Sequence, residues 1–238
     1  MPKDYLKDFR KKRKYAFDVR YDPLSIAADR RGFAVNILHE KFKKKMEHWR
    51  IENVAVKILD DLNKPLKQLI ISHLNSVLIY EDPDTMEEFF DDTKRFIESI
   101  YEIYSEGLGN IKRIGVRFVS IFEFKNYSNF DEVFKRVMEI YFSPKLPLSI
   151  SPIDCRAVLN HEFGQIELGP VKKDELFVKE SFIKPDINVP DVGFAVDVDS
   201  FAKDIKSNNS SDLCDAFKKV FELSQATEHE LVNAFIVE

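Results

Sequence analysis

The chain has 238 residues, and 44% of them are hydrophobic, including 21 Phe and 8 Tyr. This composition can supply an aromatic core, and it excludes a low-complexity or disordered chain, which would be poor in aromatic residues. No stretch approaches the roughly 18 consecutive apolar residues of a membrane-spanning helix, and the first residues are charged, unlike a secretory signal. We therefore expect a soluble, cytoplasmic protein without a membrane partner.

The net charge of -5 is distributed unevenly along the chain. Residues 1–50 contain 15 Lys and Arg against 7 Asp and Glu, whereas the remainder contains 21 against 34. The basic region could meet nucleic acid or another anionic partner, or it could fold against the acidic remainder of the same chain.

The N-terminal part is predicted to begin with a basic arm over residues 1–14, which ends in the basic run 11–14. Residues 15–21 alternate apolar and polar side chains, as a half-buried strand does. Apolar residues at three- and four-residue steps then predict a helix over residues 33–49, with several lysines along its polar side.

Three short strands are predicted over residues 54–58, 69–74 and 76–80. The next helix begins near Thr85, since Asp and Thr side chains accept hydrogen bonds from the unpaired N–H groups of a first turn, and its apolar stripe runs to Tyr104. A further helix begins near Asn129.

One strand places Ile114, Val116 and Phe118 on one face and Arg113, Gly115 and Arg117 on the other. A glycine within a strand permits close approach of another group. We expect this strand to be central in the sheet, and we expect Gly115 to lie beneath a helix or against a neighbouring backbone.

Beyond a predicted boundary at 143–147, the chain again begins with strands. The predicted elements are strands over 156–163 and 165–168, a strand over 176–183, a strand over 193–201, and two closing helices that start near Ser210 and Thr227. The order of elements is that of an α+β fold with two sequential halves, 15–145 and 146–238. Each half is predicted to be a mainly antiparallel sheet packed with amphipathic helices.

Two segments resemble a sporadically distributed, uncharacterised prokaryotic family. Residues 113–118 are similar to its R-[IV]-G-[LV]-R-[YF] strand, and residues 194–201 are similar to its D-[IV]-D-x-F segment before a helix. The family often continues its first segment with an Asn-Arg pair, which this chain lacks. The resemblance implies a fold of this size and no particular activity.

Two acidic patterns have chemical as well as structural interpretations. Glu123 and Lys125 form the E-x-K pattern of Mg-dependent nuclease sites, which need a further acid on a neighbouring strand; the alternative is a solvated strand end. Asp197 and Asp199 share one strand face and could bind a cation, cap a turn, or pair with Arg113 and Arg117. We predict that at least one arginine pairs with one of these aspartates.

The sequence contains no convincing catalytic motif, so no catalytic residue, metal ligand or cofactor is predicted. The leading hypothesis is a non-enzymatic protein that acts through protein contacts, as an assembly subunit or a homo-oligomer. One alternative is a nucleic-acid-binding accessory protein of a prokaryotic defence or mobile-element system, and another is a metal-dependent hydrolase. The candidate binding residues are Lys11, Lys12, Arg13, Lys14, Lys41, Lys44, Lys45, Arg113, Arg117, Asp197 and Asp199.

Overall fold

A computed structural model describes residues 6–53, 55–105, 107–142, 155–206 and 209–236. Its strands are β1 (Arg10–Tyr21), β2 (His48–Ile51), β3 (Ala55–Leu59), β4 (Lys67–Ser72), β5 (Asn75–Glu81), β6 (Ile111–Phe122), β7 (Ala157–His161), β8 (Gly164–Lys172) and β9 (Val192–Ile205). They form one sheet in the order β2-β3-β4-β5-β1-β6-β9-β8-β7. All neighbouring strands are antiparallel.

Four of the five α-helices in the described ranges pack against one face of this sheet. The helices are α1 (Arg31–Phe42), α2 (Met86–Ile103), α3 (Phe130–Tyr141), α4 (Leu176–Ser181) and α5 (Ser210–Ile236), and a short 3-10 turn spans Ser25–Ala27. Helices α1, α2, α3 and α5 share apolar clusters with the buried side of the strands. Helix α4 lies on the opposite face, where Val178 packs against Val119, Ile121 and Ala195.

The core between the sheet and the four helices is aromatic. Phe17 of β1 contacts Phe96 of α2 and Phe217 of α5, with ring centroids 6.4 and 5.4 Å away. Near the other end of the sheet, the Phe194 and Phe235 ring centroids are 4.2 Å apart. Burial of these rings removes a large apolar area from water and stabilises the sheet–helix arrangement.

The predicted starts of α2 and α3 are confirmed. The Thr85 hydroxyl accepts a hydrogen bond from the Glu88 N–H at 3.0 Å. The Asn129 side chain accepts one from the Glu132 N–H at 3.1 Å. Each cap satisfies a backbone donor that the first turn leaves unpaired.

The α+β class is confirmed, but the division into two sheets is not. The strands between residues 10 and 122 are contiguous in the sheet, those between 157 and 205 are also contiguous, and the two sets join where β6 pairs with β9. The predicted boundary at 143–147 lies outside the described residues.

Several predicted elements differ from the structure because tertiary packing decides them. Residues 10–14 belong to β1, in the middle of the sheet, and do not form an arm. Helix α1 ends at Phe42, and Trp49 lies in β2, where pairing with β3 holds the backbone extended. Helical spacing up to Trp49 was therefore misleading.

Two predictions for the C-terminal part were also wrong. The predicted strand 176–183 contains the helix α4, which ends at Ser181. Its buried Val178 and the Phe182 that follows the helix belong to the same apolar cluster on the open face. The two predicted closing helices form the single helix α5 of 27 residues. Its sequence contains neither Gly nor Pro, so no residue interrupts the helix near Thr227.

No helix in the described part of the chain has both the length and the apolar character required to cross a membrane.

Candidate functional site

The sheet face opposite α1, α2, α3 and α5 is the open face, and α4 covers it at one end only. Side chains alternate across a strand, so β1 presents Lys14 and Asp18 on this face, while Tyr15 and Phe17 enter the helix-covered core. Cross-strand pairing places Arg117 of β6 beside Ala16 on β1 and Asp199 on β9. Charged residues from distant parts of the chain therefore meet on the open face.

Both predicted arginines pair with the predicted aspartates. Arg113 Nη2 donates to the two carboxylate oxygens of Asp199 at 2.7 and 2.9 Å. Arg117 donates from Nε and Nη2 to the two oxygens of Asp197 at 2.9 and 2.5 Å. These pairings confirm the sequence prediction and cross the β6–β9 junction.

The two arginine side chains differ in exposure. Arg113 is 19% exposed, but Arg117 is 54% exposed. The side chain of Arg113 is therefore largely enclosed, whereas that of Arg117 borders open solvent. Its hydrogen bond with Asp197 raises the pKa of Arg117 above the usual range, so the guanidinium stays charged.

Gly115 accommodates a side-chain cluster and not a helix or a neighbouring backbone, which corrects the expectation. A Cβ at this position would lie 2.5 Å from Asp18 Oδ1 and 3.1 Å from Arg113 Nη2. Asp18 also accepts a hydrogen bond from Arg20 Nε at 2.8 Å. The absent side chain therefore leaves room for the carboxylate and guanidinium groups of this cluster.

Replacing Gly115 with valine is expected to destabilise the protein by about 1–3 kcal/mol, because the added methyl groups must displace Asp18 and Arg113. Urea denaturation of the variant and the parent would measure the change. In an Asp18→Ala background the same substitution should have a smaller effect. Equal stability of parent and Gly115→Val protein would contradict the packing argument.

A groove of about 800 Å³ lies between the open face and α4. Ile79, Val119 and Leu176 contribute apolar parts of its lining, and Leu176 is 68% exposed. The charged residues of the lining are the cations Lys14, Arg117 and Arg156 and the carboxylates Asp197, Glu167, Glu175 and Glu180. The groove thus combines apolar surface with both signs of charge.

Lys14 is the most unusual charged residue in this groove. Its Nζ donates a hydrogen bond to the Ser181 carbonyl oxygen at 2.8 Å. Burial is the main cause that lowers its pKa below the usual value, and the positive charge of Arg117 acts in the same direction. The negative charges of Glu81 and Asp197 oppose the change.

Lys12, two residues earlier in β1, has a different environment. Its side chain is fully buried, and its Nζ lies 2.8 Å from Glu81 and 2.6 Å from Asp82. Glu81 also accepts hydrogen bonds from the backbone N–H groups of Ile183 and Lys184 at 2.6 and 3.0 Å. Glu81 thereby holds the segment that follows α4 against the sheet and helps to position that wall of the groove.

Arg156 forms the part of the groove nearest β7 and β8. Its guanidinium carbon lies 4.2 Å from the centroid of the Phe177 ring. Its Nη1 donates to Glu167 at 2.9 Å, and its Nη2 lies 3.8 Å from Glu175. The Arg156 guanidinium stacks on Phe177 of α4 and donates to Glu167 of β8, so it links α4 to the sheet at this side of the groove.

The predicted basic run is not a continuous exposed surface. Lys11 lies 3.4 Å from Glu123, and Arg13 donates to the carbonyl oxygens of Pro83 and Asp84. Lys12 is buried with its carboxylates, and Lys14 lies in the groove. The run is therefore divided among different environments.

The predicted lysines near α1 also have separate environments. Lys41 pairs with Glu102 at 2.5 Å, and Lys45 pairs with Asp92 at 2.5 Å, both acids belonging to α2. Lys44 follows the end of α1 and is exposed. These lysines flank the helix layer, so the structure does not bring them together with Lys14 on the open face.

The acidic patterns do not form a metal centre within the described ranges. Glu123 follows β6 and is exposed, as is Lys125. Asp197 and Asp199 hold arginines. No group of three or more His, Cys, Asp or Glu residues suited to a metal ion occurs in the part of the chain described.

Sequence analysis missed the carboxylates and the α4 wall that complete the groove. The sequence analysis assigned Lys14 to a basic arm and gave no signal for its neighbour Ser181, which lies 167 residues away in sequence. Sequence analysis found no motif that includes Glu167, Glu175 or Glu180. Their proximity depends on strand order and on the position of α4.

A scan against protein-family models finds no match to this chain, and a search of curated proteins finds none either.

Proposed function

We propose that this chain is a non-enzymatic interaction protein that binds a polypeptide partner in the groove between the open face and α4. The observation that carries the proposal is the convergence of three cations, four carboxylates and apolar side chains on one uncovered groove. Concave sites with convergent polar groups are the usual places of ligand binding. A polypeptide presents charged and apolar groups in succession, which fits a lining of this mixed kind.

The two alternatives have less support from the geometry. A phosphate backbone needs a predominantly positive surface, whereas the groove has one more carboxylate than cations. The hydrolase alternative would require Glu123 to act with other acids, but Glu123 forms an ion pair with Lys11 at 3.4 Å. We therefore place protein binding first and nucleic-acid binding second.

The first test is capture of a partner by groove-dependent cross-linking. Wild-type protein in a lysate of its native cell would be treated with a lysine-reactive cross-linker and purified. Variants Leu176→Asp and Glu180→Lys change exposed residues of the groove rim, and Lys219→Glu changes an exposed residue of α5 as a matched control. We expect one partner to be captured by wild type and control and at least tenfold less of it by both rim variants.

Two outcomes would count against the proposal. Capture that is unaffected by either rim variant would place binding elsewhere on the surface. A stable monomer without any partner captured or co-purified would remove support for a function through protein contacts. Mass measurement in solution would also detect a homo-oligomer, and rim variants that dissociate it would identify a second copy as the partner.

A further inference from the structure

The groove contains a half-buried cation, Lys14, whose ammonium group has fewer hydrogen-bond acceptors around it than N–H donors. Lys14 has three N–H donors, and within the described residues it donates to one acceptor, the Ser181 carbonyl oxygen, at 2.8 Å. By contrast, Lys12 on the same strand lies within 2.8 Å of two carboxylates. The charge of Lys14 therefore lacks a carboxylate in direct contact among the described residues.

A carboxylate does lie nearby, but its oxygens are occupied. Asp197 receives the Nε and Nη2 donors of Arg117 at 2.9 and 2.5 Å. The Nη1 group of Arg117 donates no hydrogen bond to any part of the chain that is described, and the side chain is 54% exposed. Lys14 and Arg117 are diagonal neighbours on the open face, because Lys14 pairs with Val119, two residues beyond Arg117. Both thus offer unused donors to the same part of the groove.

The groove is electrically polarised. Lys14, Arg117 and Asp197 together carry one net positive charge in the part of the lining formed by β1, β6 and β9. Arg156, Glu167, Glu175 and Glu180 together carry two net negative charges toward α4 and β8. A ligand that carries an anion at one end and a cation at the other would complement this arrangement.

From this geometry we propose that the groove receives a carboxylate of its polypeptide partner at Lys14 and Arg117, with a basic side chain of the partner near Glu180. The inference rests on the proposed function, since it names the chemical group through which that partner is recognised. A carboxylate fits better than a phosphate, because a dianion would be repelled by the four carboxylates of the lining. The lowered pKa of Lys14 agrees with a cation whose counter-ion is supplied on binding.

Three short peptides would test the inference and identify the source of the carboxylate. The probes are N-acetyl-Lys-Ala-Leu with a free C terminus, the same peptide as its C-terminal amide, and N-acetyl-Lys-Glu-Leu amide. Each would be titrated into ¹⁵N-labelled full-length protein while the backbone signals of β1 and β6 and the Arg117 Nε–H signal are followed. Tighter binding of the free acid indicates a chain terminus, and tighter binding of the Glu peptide indicates an acidic side chain.

We expect at least one carboxylate peptide to bind at least tenfold more tightly than N-acetyl-Lys-Ala-Leu amide, which has the same lysine but no carboxylate. Lys14→Gln and Arg117→Gln should each abolish most of this preference, whereas Lys179→Gln, an exposed α4 residue outside the groove lining, should preserve it. Amide spectra of the unliganded variants would verify that each is folded. The preference should also weaken as the pH rises through the lowered pKa of Lys14, because the neutral amine loses its attraction for the anion.

Equal affinity for all three peptides would overturn the inference, as would a preference for a carboxylate peptide that persists in both Gln variants. Absence of binding by all three peptides at millimolar concentration would also overturn it. These results are distinguishable from failure of the proposed function. If cross-linking of the partner still depends on Leu176 and Glu180, the groove binds a polypeptide through other groups; if it does not, the proposed function itself fails.

Discussion

Replacing Glu228 with alanine is expected to destabilise the protein by about 3–5 kcal/mol, the effect of removing one partner from a buried ion pair. Glu228 of α5 forms an ion pair with Arg10 of β1, and both side chains are only 1% exposed. Glu228 also accepts a hydrogen bond from the Ser120 hydroxyl at 2.5 Å. The alanine variant would leave the Arg10 charge in the interior without this carboxylate.

Urea denaturation, followed by circular dichroism, would measure the loss of stability. Glu230→Ala, which changes an exposed residue on the same helix, is the matched control and should change the stability by no more than about 0.5 kcal/mol. The double variant Arg10→Met with Glu228→Met should recover much of the loss, since apolar side chains remove both buried charges together. A loss below about 1 kcal/mol for Glu228→Ala would show that the buried pair does not act as argued.

Replacing Glu81 with alanine is expected to have a comparable effect, about 3–5 kcal/mol, and a local consequence at the groove. Lys12 would lose one of its two carboxylates in a fully buried position. The backbone N–H groups of Ile183 and Lys184 would lose their acceptor at the same time. The segment after α4 should therefore separate from the sheet more readily.

Two measurements would separate the global effect from the local one. Urea denaturation gives the free energy of unfolding, and native-state hydrogen exchange gives the protection of the Ile183 and Lys184 amides. The control is Glu123→Ala, which removes an exposed carboxylate from its surface ion pair with Lys11. We expect it to change the free energy of unfolding by about 0.5 kcal/mol or less. Unchanged exchange at Ile183 and Lys184 in Glu81→Ala would contradict the role assigned to Glu81 in holding the groove wall.

These predictions connect stability with the proposed site. The groove exists because α4 remains close to the open face while leaving part of that face uncovered. Glu81 holds the chain just after α4, and the stacked Arg156 holds α4 through Phe177. A variant that loosens either contact should weaken partner binding without altering Lys14 or Arg117 directly.

Local sequence patterns were sufficient to predict the structure where the interactions that determine it join residues close together in the chain. The caps at Thr85 and Asn129 each join residues three positions apart, so they could be predicted without the tertiary structure. The alternation in β6 likewise assigned Ile114 and Val116 to one face and Arg117 to the opposite face, and the structure shows that the first of these faces is the core. The pairing of Arg117 with Asp197 was predictable from the requirement that arginine near a sheet find a carboxylate.

Patterns failed where distant contacts override local preference. Residues 10–14 were predicted to lie in a basic arm because five adjacent cations are usually solvated. In the structure, the buried acids Glu81 and Glu228 stabilise Lys12 and Arg10 inside the fold. Residues 176–183 were predicted to form a strand, although a segment of this length and apolar content can form either a strand or a helix. Packing of Val178 against the open face selected the helix.

The sequence by itself determined the α+β class, the starts of α2 and α3, and the face of β6 on which each side chain lies, because these depend on periodicity and on contacts within a few residues. Only the tertiary structure decided that the nine strands of the described ranges form one sheet, and that α4 lies beside Lys14 and Arg117. Strand order brings together residues such as Lys14 and Ser181, whose separation of 167 positions carries no local signal. The candidate site is built from such contacts. The sequence therefore shows which charged residues are present, but it does not predict that they line one groove.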